Sequence, residues 1–150
     1  MMIINNKFNY ICDIKPLRNQ EGSIQSFFPQ NRYQNHKGLP LNTFGKGPFC
    51  KFQISTDHHA SGVYVLVIKE KVQYVGECRN LSSRFNAGYG NISPKNCFKG
   101  GQETNCRINN LIFTTTSANE DIGLWFHQTP YHKRIEQEIR FSLNHPWNRV

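Results

Sequence analysis

Long apolar runs, a leader pattern and paired cysteines are all missing from this chain of 150 residues. No apolar run approaches the roughly 18–20 residues that a membrane-spanning helix needs. The first residues do not show the charged, apolar and small-residue order of a secretory signal peptide. The five cysteines are an odd number, and none form a Cys-x-x-Cys pair. We therefore expect a reduced, cytoplasmic protein that does not contact membranes.

Acidic residues are also scarce. The chain has 10 Asp plus Glu against 18 Lys plus Arg, which gives a net charge of +8. Residues 1–57 carry seven bases and three acids, and residues 58–150 carry eleven and seven, so each part is net +4. This charge favours a polyanionic partner, since each phosphate that Lys or Arg neutralises releases counterions. Solubility alone is the competing explanation.

The length suits one domain with one core. Residues 1–57 contain one candidate strand, over 6–12, followed by a proline or glycine every few residues, which leaves room only for short elements. The segment is too rich in aromatic residues for a disordered tail. We interpret residues 1–57 as an irregular N-terminal extension that packs on the domain formed by residues 58–150.

The pattern becomes regular at residue 62. Residues 62–68 are apolar and β-branched, as in a buried strand, 69–71 form a polar turn, and 72–76 return as a second strand. A third strand is predicted over 122–127. Helices are predicted over 81–87 after an Asn80 cap, from 104 or 105 to 112, and from Thr129 to before Pro146. The predicted fold is α/β, with a small three-stranded mixed β-sheet flanked by helices.

Two short motifs lie on the predicted hairpin, Gly62-Val63-Tyr64 and Tyr74-Val75-Gly76. Arg84 follows on a predicted helix, and Glu136 and Asn148 come late in the chain. Residues 136–139 form a Glu-x-x-Ile run, and 146–148 form a Pro-Trp-Asn run. This ordered set, which covers residues 62–148, resembles the GIY-YIG nuclease family.

The resemblance implies the GIY-YIG fold and a metal-dependent DNA endonuclease of restriction or phage type, with 58–150 as its catalytic domain. It implies that Glu136 binds Mg²⁺ or Mn²⁺, for which a carboxylate is a suitable hard ligand. It assigns phosphate binding to Arg84, whose planar fork matches phosphate oxygens. Tyr64 is the implied general base, Tyr74 a second site hydroxyl, and Asn148 an active-site asparagine.

Two positions depart from the family pattern. Many members have a lysine after the second motif, where this chain has Glu77, and restriction enzymes of the family often have a histidine where this chain has Gly88. Both missing groups can support a tyrosine base, because positive charge lowers the pKa of a phenol. Another cation must then serve, and the candidates are Arg79, Lys99, Arg107 and His127.

A glycine-rich loop over 88–102 lies in a basic part of the chain. Cations that bind phosphates beside rings that stack on bases are typical of a nucleic-acid channel. We therefore predict nucleic-acid contacts here and in residues 1–57, although an ordinary surface loop is the alternative. The predicted contact residues are Arg79, Tyr89, Lys95, Lys99 and Arg107, with Phe85 and Phe98 interleaved.

Several alternatives stay open from the sequence. The chain can be a nucleic-acid-binding protein that keeps the fold and has lost catalysis, or a structure-selective or RNA-cleaving nuclease. Glu138 competes with Glu136 as the metal ligand. A zinc site from Cys97, Cys106, His58 and His59 fits no standard spacing. Since one active site cuts one strand at a time, a homodimer on DNA is also a candidate assembly.

Overall fold

The computed structural model describes residues 7–142 and 145–149, and it confirms an α/β fold. Its strands form one sheet in the order β1-β4-β2-β3, and every neighbouring pair is antiparallel. The prediction of a three-stranded mixed sheet was therefore wrong. The strands are β1 (Asn9–Asp13), β2 (Gly62–Ile68), β3 (Lys71–Cys78) and β4 (Gly123–Gln128).

The additional strand is β1, which the sequence placed in the N-terminal extension. It pairs with β4, with Asn9 opposite Phe126 and Asp13 opposite Gly123. The backbone N–H of Ile14 then donates to the carbonyl of Ile122 at 2.8 Å. The extension thus contributes an edge strand to the sheet.

The hairpin of β2 and β3 matches its prediction closely. Its connection is only two residues long, and both Lys69 and Glu70 have positive φ values, of 49° and 66°. Two successive positive φ values suit the right-handed twist of a two-residue hairpin, although Asn and Gly occupy such turns more readily. All seven residues of β2 are buried, because β2 lies between β3 and β4.

The predicted helices all exist, with different bounds. Helix α1 (Leu81–Ser83) continues as a π-helical segment, Arg84–Tyr89, and the side chain of Asn80 accepts from the Ser83 N–H as predicted. Helix α2 (Glu103–Ser117) is five residues longer than expected at its C-terminal end. Helix α3 (His132–Ser142) begins after Thr129, whose hydroxyl accepts from the Tyr131 N–H. Two short 3₁₀ helices are Pro29–Arg32 and Pro94–Cys97.

The fold divides into two compact units, each assembled from separate stretches of chain. Unit 1 comprises the described residues of Met1–Ile14, Ile54–Arg84 and Glu120–Val150, and it contains the sheet and α3. Unit 2 comprises Lys15–Gln53 and Phe85–Asn119 and contains α2. The functional division expected at residue 57 stays a prediction.

Each unit has its own apolar core. In unit 1, valines of β2 and β3 pack with Phe8 and with Ile135 and Ile139 of α3. In unit 2, Phe49, Ile92 and Phe98 pack with two buried cysteines. The amide of buried Asn109 links the two stretches of unit 2, because it bonds with the backbone N–H and carbonyl of Cys50.

Candidate active site

The predicted catalytic residues Tyr64, Tyr74, Arg84, Glu136 and Asn148 all belong to unit 1. Tyr64 on β2 and Tyr74 on β3 point to the same face of the sheet. Their ring centroids are 6.2 Å apart, with an angle of 40° between the ring planes. Both residues are buried, with 1% and 9% of their surface exposed. The two motifs therefore bring the two phenols together, as the hairpin predicted.

Gly76 makes the position of Tyr64 attainable. It is the cross-strand partner of Tyr64. An ideal Cβ on Gly76 would overlap the Cζ and hydroxyl of Tyr64. The phenol of Tyr64 therefore crosses the edge strand β3 at Gly76, in space that the side chain of any other residue at position 76 would fill. Gly62 has a similar role, since a Cβ there would overlap the ring of Phe126.

Glu136 approaches the sheet from the other side. Alternation along β2 turns Val63 and Val65 away from the tyrosine face, and these valines pack with Ile135 and Ile139 of α3. Glu136 lies on the same helix and is 8% exposed. Its Oε1 lies 3.5 Å from Nε of Arg140, one helical turn further on. Glu136 is thus a buried carboxylate with one cationic partner.

The environment of Glu136 disfavours its charged form relative to a carboxylate in water. Burial raises the pKa of the Glu136 carboxyl, and the charge of Glu77 raises this pKa further, while Arg140 opposes both effects. Charged groups lose hydration on burial, and two carboxylates in one region repel each other. A divalent cation relieves both penalties, so this environment is suited to one.

Glu77 and His132 form a second polar pair at this place. Nδ1 of His132 on α3 contacts Oε2 of Glu77 on β3, and the side chains are 13% and 29% exposed. His132, Glu136 and Arg140 recur at intervals of four and so share one face of α3. The sequence analysis missed both this pair and Arg140. The available signal was the spacing of these three polar residues on a helix whose neighbouring apolar residues were recognised.

Two adjacent residues of β3 connect the two groups of side chains. The Tyr64 hydroxyl lies at Gly76, and the next residue, Glu77, contacts His132 and influences Glu136. Arg84 lies near the end of the same strand. Burial raises the pKa of the Cys78 thiol to about 11, and the charge of Arg84 acts against this rise. At the C-terminal end of β3, Gly76 is therefore the neighbour of Tyr64 and Glu77 is the neighbour of His132.

Asn148 is bound to the backbone of this strand. Its Oδ1 accepts from the Val75 N–H at 2.9 Å, and its Nδ2 donates to the Val75 carbonyl at 3.0 Å. The N–H of Trp147 donates to the Gln73 carbonyl at 2.8 Å. In this arrangement Asn148 holds β3 between Tyr74 and Gly76, so it is a positioning residue for both.

The predicted metal ligands can be compared directly. Glu138 is two-thirds exposed and pairs with Arg134 at 3.8 Å, whereas Glu136 is buried. Over residues 7–142 and 145–149, no three His, Cys, Asp or Glu side chains group closely enough to hold a metal ion together. A Mg²⁺ site needs fewer protein ligands, because waters and substrate phosphates complete its octahedron. Glu136 therefore suits a single-carboxylate site.

The cysteines of the alternative zinc site do come together. Cys97 and Cys106 are buried neighbours in the core of unit 2, and a hydrogen bond with the Cys106 thiol lowers the pKa of Cys97. The two histidines of that set, His58 and His59, belong to unit 1. Since the described residues contain no three-ligand group, the cysteine pair is explained by packing.

The predicted nucleic-acid contacts are only partly accessible. Arg79, Lys95 and Lys99 are exposed, and Arg107 is half-buried. Tyr89 is 1% exposed, and its ring meets that of Phe85 edge-on at 5.3 Å in unit 2. Phe98 is also buried. The expectation that these three rings stack on bases needs correction, because their faces belong to a protein core.

No protein-family profile, curated protein or solved structure matches this chain. The described residues contain no helix of the length and apolarity that crossing a membrane requires.

Proposed function

We propose that this protein is a metal-dependent DNA endonuclease of the GIY-YIG type, which hydrolyses phosphodiester bonds. The observation that carries the proposal is the placement of the Tyr64 phenol against Gly76, the residue before Glu77, whose side chain contacts His132 one helical turn before Glu136. Tyr64 and Tyr74 share one face of the sheet, and Glu136 lies on the helix that packs on the other face. Phosphodiester hydrolysis requires a proton acceptor, a cation for the phosphate and a means to stabilise the leaving oxygen.

Each residue has a role that its chemistry allows. Glu136 holds Mg²⁺ or Mn²⁺, which supplies charge for the phosphate and for the leaving 3′-oxygen. Arg84 binds non-bridging phosphate oxygens and keeps its charge at any working pH. Tyr64 accepts the proton of the attacking water, and Tyr74 orients water or phosphate. Asn148 positions the strand that carries Tyr74 and Gly76.

The Glu77–His132 pair offers a replacement for the lysine and the histidine that many GIY-YIG nucleases have at the positions of Glu77 and Gly88. Glu77 occupies the position of the lysine and holds the imidazole of His132 one turn before Glu136. His132 is therefore a further candidate, beside Arg79, Lys99, Arg107 and His127, for the side chain that supports a tyrosine base.

A plasmid-cleavage assay tests the proposal. Supercoiled DNA is incubated with the full chain and Mg²⁺, Mn²⁺ or EDTA, and the products are separated as nicked and linear forms. Cleavage that depends on metal and is lost in Glu136→Ala supports the nuclease. Metal-independent binding without cleavage supports the inactive binding protein, and cleavage confined to RNA or branched DNA supports a structure-selective or RNA-cleaving nuclease. Linear product without a nicked intermediate favours a homodimer.

A further inference from the structure

We propose that unit 2 is the DNA-docking module of this protein, and that a basic cleft in unit 2 binds the sugar-phosphate backbone. The identification of the partner as DNA rests on the proposed function. The cleft lies in a different part of the chain from the candidate active site.

The net charge is almost entirely on unit 2. Lys15–Gln53 and Phe85–Asn119 together contain nine Lys or Arg and two Asp or Glu, a net charge of +7. The rest of the chain contains nine Lys or Arg and eight Asp or Glu, a net charge of +1. Folding therefore gathers into one unit a charge that is even along the sequence. A large field of one sign attracts a polyanion and accelerates its association.

These cations are available to a partner. Seven of the nine basic residues of unit 2 are exposed. Both acids of the unit, Glu21 and Glu103, are too few to neutralise them. The exposed basic residues of unit 2 are Lys15, Arg18, Arg32, Lys37, Lys46, Lys95 and Lys99.

The cleft has a volume of about 440 Å³ and lies between the two stretches of unit 2. The N–H of Phe52 donates to the Gly90 carbonyl at 3.1 Å and joins the stretches at its base. Lys15 and Lys51 line the cleft, and its lining within the described chain includes no carboxylate. The ammonium group of Lys51 lies 4.5 Å from the ring centroid of Phe27, which restrains this side chain.

The remaining polar groups suit a nucleotide better than a simple anion. The side-chain amides of Gln53, Asn86 and Asn91 line the same cleft, beside the exposed Leu17. Amides offer both donors and acceptors, so they can donate to phosphate and sugar oxygens and can bond with base edges, while the lysines neutralise phosphates. The volume is in the range of pockets that bind small ligands. One or two nucleotides of a DNA strand fit this chemistry.

The test measures DNA binding by the full chain in EDTA, where hydrolysis does not interfere. Fluorescence anisotropy with a labelled duplex gives the affinity between about 50 and 200 mM salt. The variant is Lys15→Gln with Lys51→Gln, which removes two charges and keeps polar side chains that are one atom shorter. The matched control is Lys69→Gln with Lys71→Gln, which removes two lysines from unit 1. Lys15→Arg with Lys51→Arg is the conservative variant, because it keeps both charges.

The expected result is a salt-dependence slope about 2 units shallower in the cleft variant, since each phosphate contact contributes about 0.9. The control should change the slope by less than about half a unit, and Lys15→Arg with Lys51→Arg should keep the parental slope. Equal effects of the two variants, or an unchanged slope in the cleft variant, would overturn the docking site. Plasmid cleavage is scored separately, so loss of the nuclease proposal and loss of the docking site give different results.

Discussion

The phenol of Tyr64 lies over Gly76, in the space that a side chain at that position would require. The two residues are cross-strand partners on β2 and β3. Each motif thus needs the other, because the tyrosine of the first is placed by the glycine of the second. This physical dependence applies whether or not the site is catalytic.

We expect Gly76→Ala to cost about 1–3 kcal/mol of unfolding free energy, because the added methyl group overpacks against the ring. In a Tyr64→Ala background the same change should cost less, since the ring is gone. Urea denaturation of the four proteins in this double-mutant cycle measures the coupling. Equal costs of Gly76→Ala in both backgrounds would contradict the contact.

Glu136→Ala should abolish cleavage and leave DNA binding in EDTA unchanged or slightly tighter, because it removes the proposed metal ligand and one negative charge. Glu138→Ala on the same helix is the matched control and should retain activity, since Glu138 is exposed and pairs with Arg134. Single-turnover cleavage at saturating Mg²⁺ is the measurement. If Glu136→Ala were active and Glu138→Ala inactive, Glu138 rather than Glu136 would be the metal ligand.

Glu136→Gln should stabilise the protein at neutral pH. Burial raises the pKa of Glu136, so the folded protein binds this proton more tightly than the unfolded chain does. The stability that this group contributes is present at acidic pH and is lost as the pH rises through its folded pKa. The gain from Gln should therefore be largest at neutral pH and should vanish below about pH 4, near the ordinary carboxyl value.

Thermal melts of the parent and Glu136→Gln across this pH range, without metal, test the sign. Glu138→Gln should show no such pH-dependent gain, because Glu138 is exposed. A gain that grows toward acidic pH would show that Glu136 is stabilised as a carboxylate in the folded protein.

Asn148→Ala should cost about 1–3 kcal/mol, because two hydrogen bonds to the Val75 backbone are lost together. Hydrogen exchange at the Val75 amide should accelerate by more than the loss of global stability predicts. Exposed Gln137→Ala is the control for loss of an amide side chain. If Asn148→Ala instead abolished cleavage with unchanged stability and exchange, Asn148 would act on the substrate rather than through β3.

Tyr64→Phe should lower the single-turnover rate and flatten its pH dependence. A phenol ordinarily ionises near pH ~10, so a tyrosine base makes the logarithm of the rate rise with pH toward an alkaline plateau. Tyr74→Phe should also lower the rate while preserving the slope, if its hydroxyl only orients water or phosphate. A Tyr64→Phe enzyme with the parental profile would exclude Tyr64 as the base and would point to another group, such as His127.

The sequence predicted the hairpin well because each signal was local. Residues 62–68 combine β-branching with burial on both faces, and the polar turn has no competing interpretation. The pairing of β1 with β4 was not local, since Asn9 and Phe126 are far apart in the chain. Helix α2 was predicted too short because Thr114, Thr115 and Thr116 have low helix propensity. In the structure the Thr116 hydroxyl bonds with the Ile112 carbonyl at 2.7 Å and is buried.

The candidate site was predictable by residue type and not by arrangement. The order of the motif residues identified Tyr64, Tyr74 and Glu136, yet no sequence pattern shows that a phenol crosses a glycine. The charge distribution was hidden for a related reason. A linear division gives +4 on each side of residue 57, while the two spatial units carry +1 and +7, because each unit draws on distant stretches.

The hydrogen bonds of residues 147 and 148 to β3 also protect an edge of the sheet from pairing with other molecules. Strand β3 is an edge of the sheet, and Trp147 and Asn148 occupy backbone groups of Gln73 and Val75 that face outward. Unpaired edges recruit strands from other molecules. During synthesis this edge stays open until residue 148 has left the ribosome. A variant from which Trp147 and Asn148 are deleted should therefore aggregate at concentrations where the parent remains monodisperse.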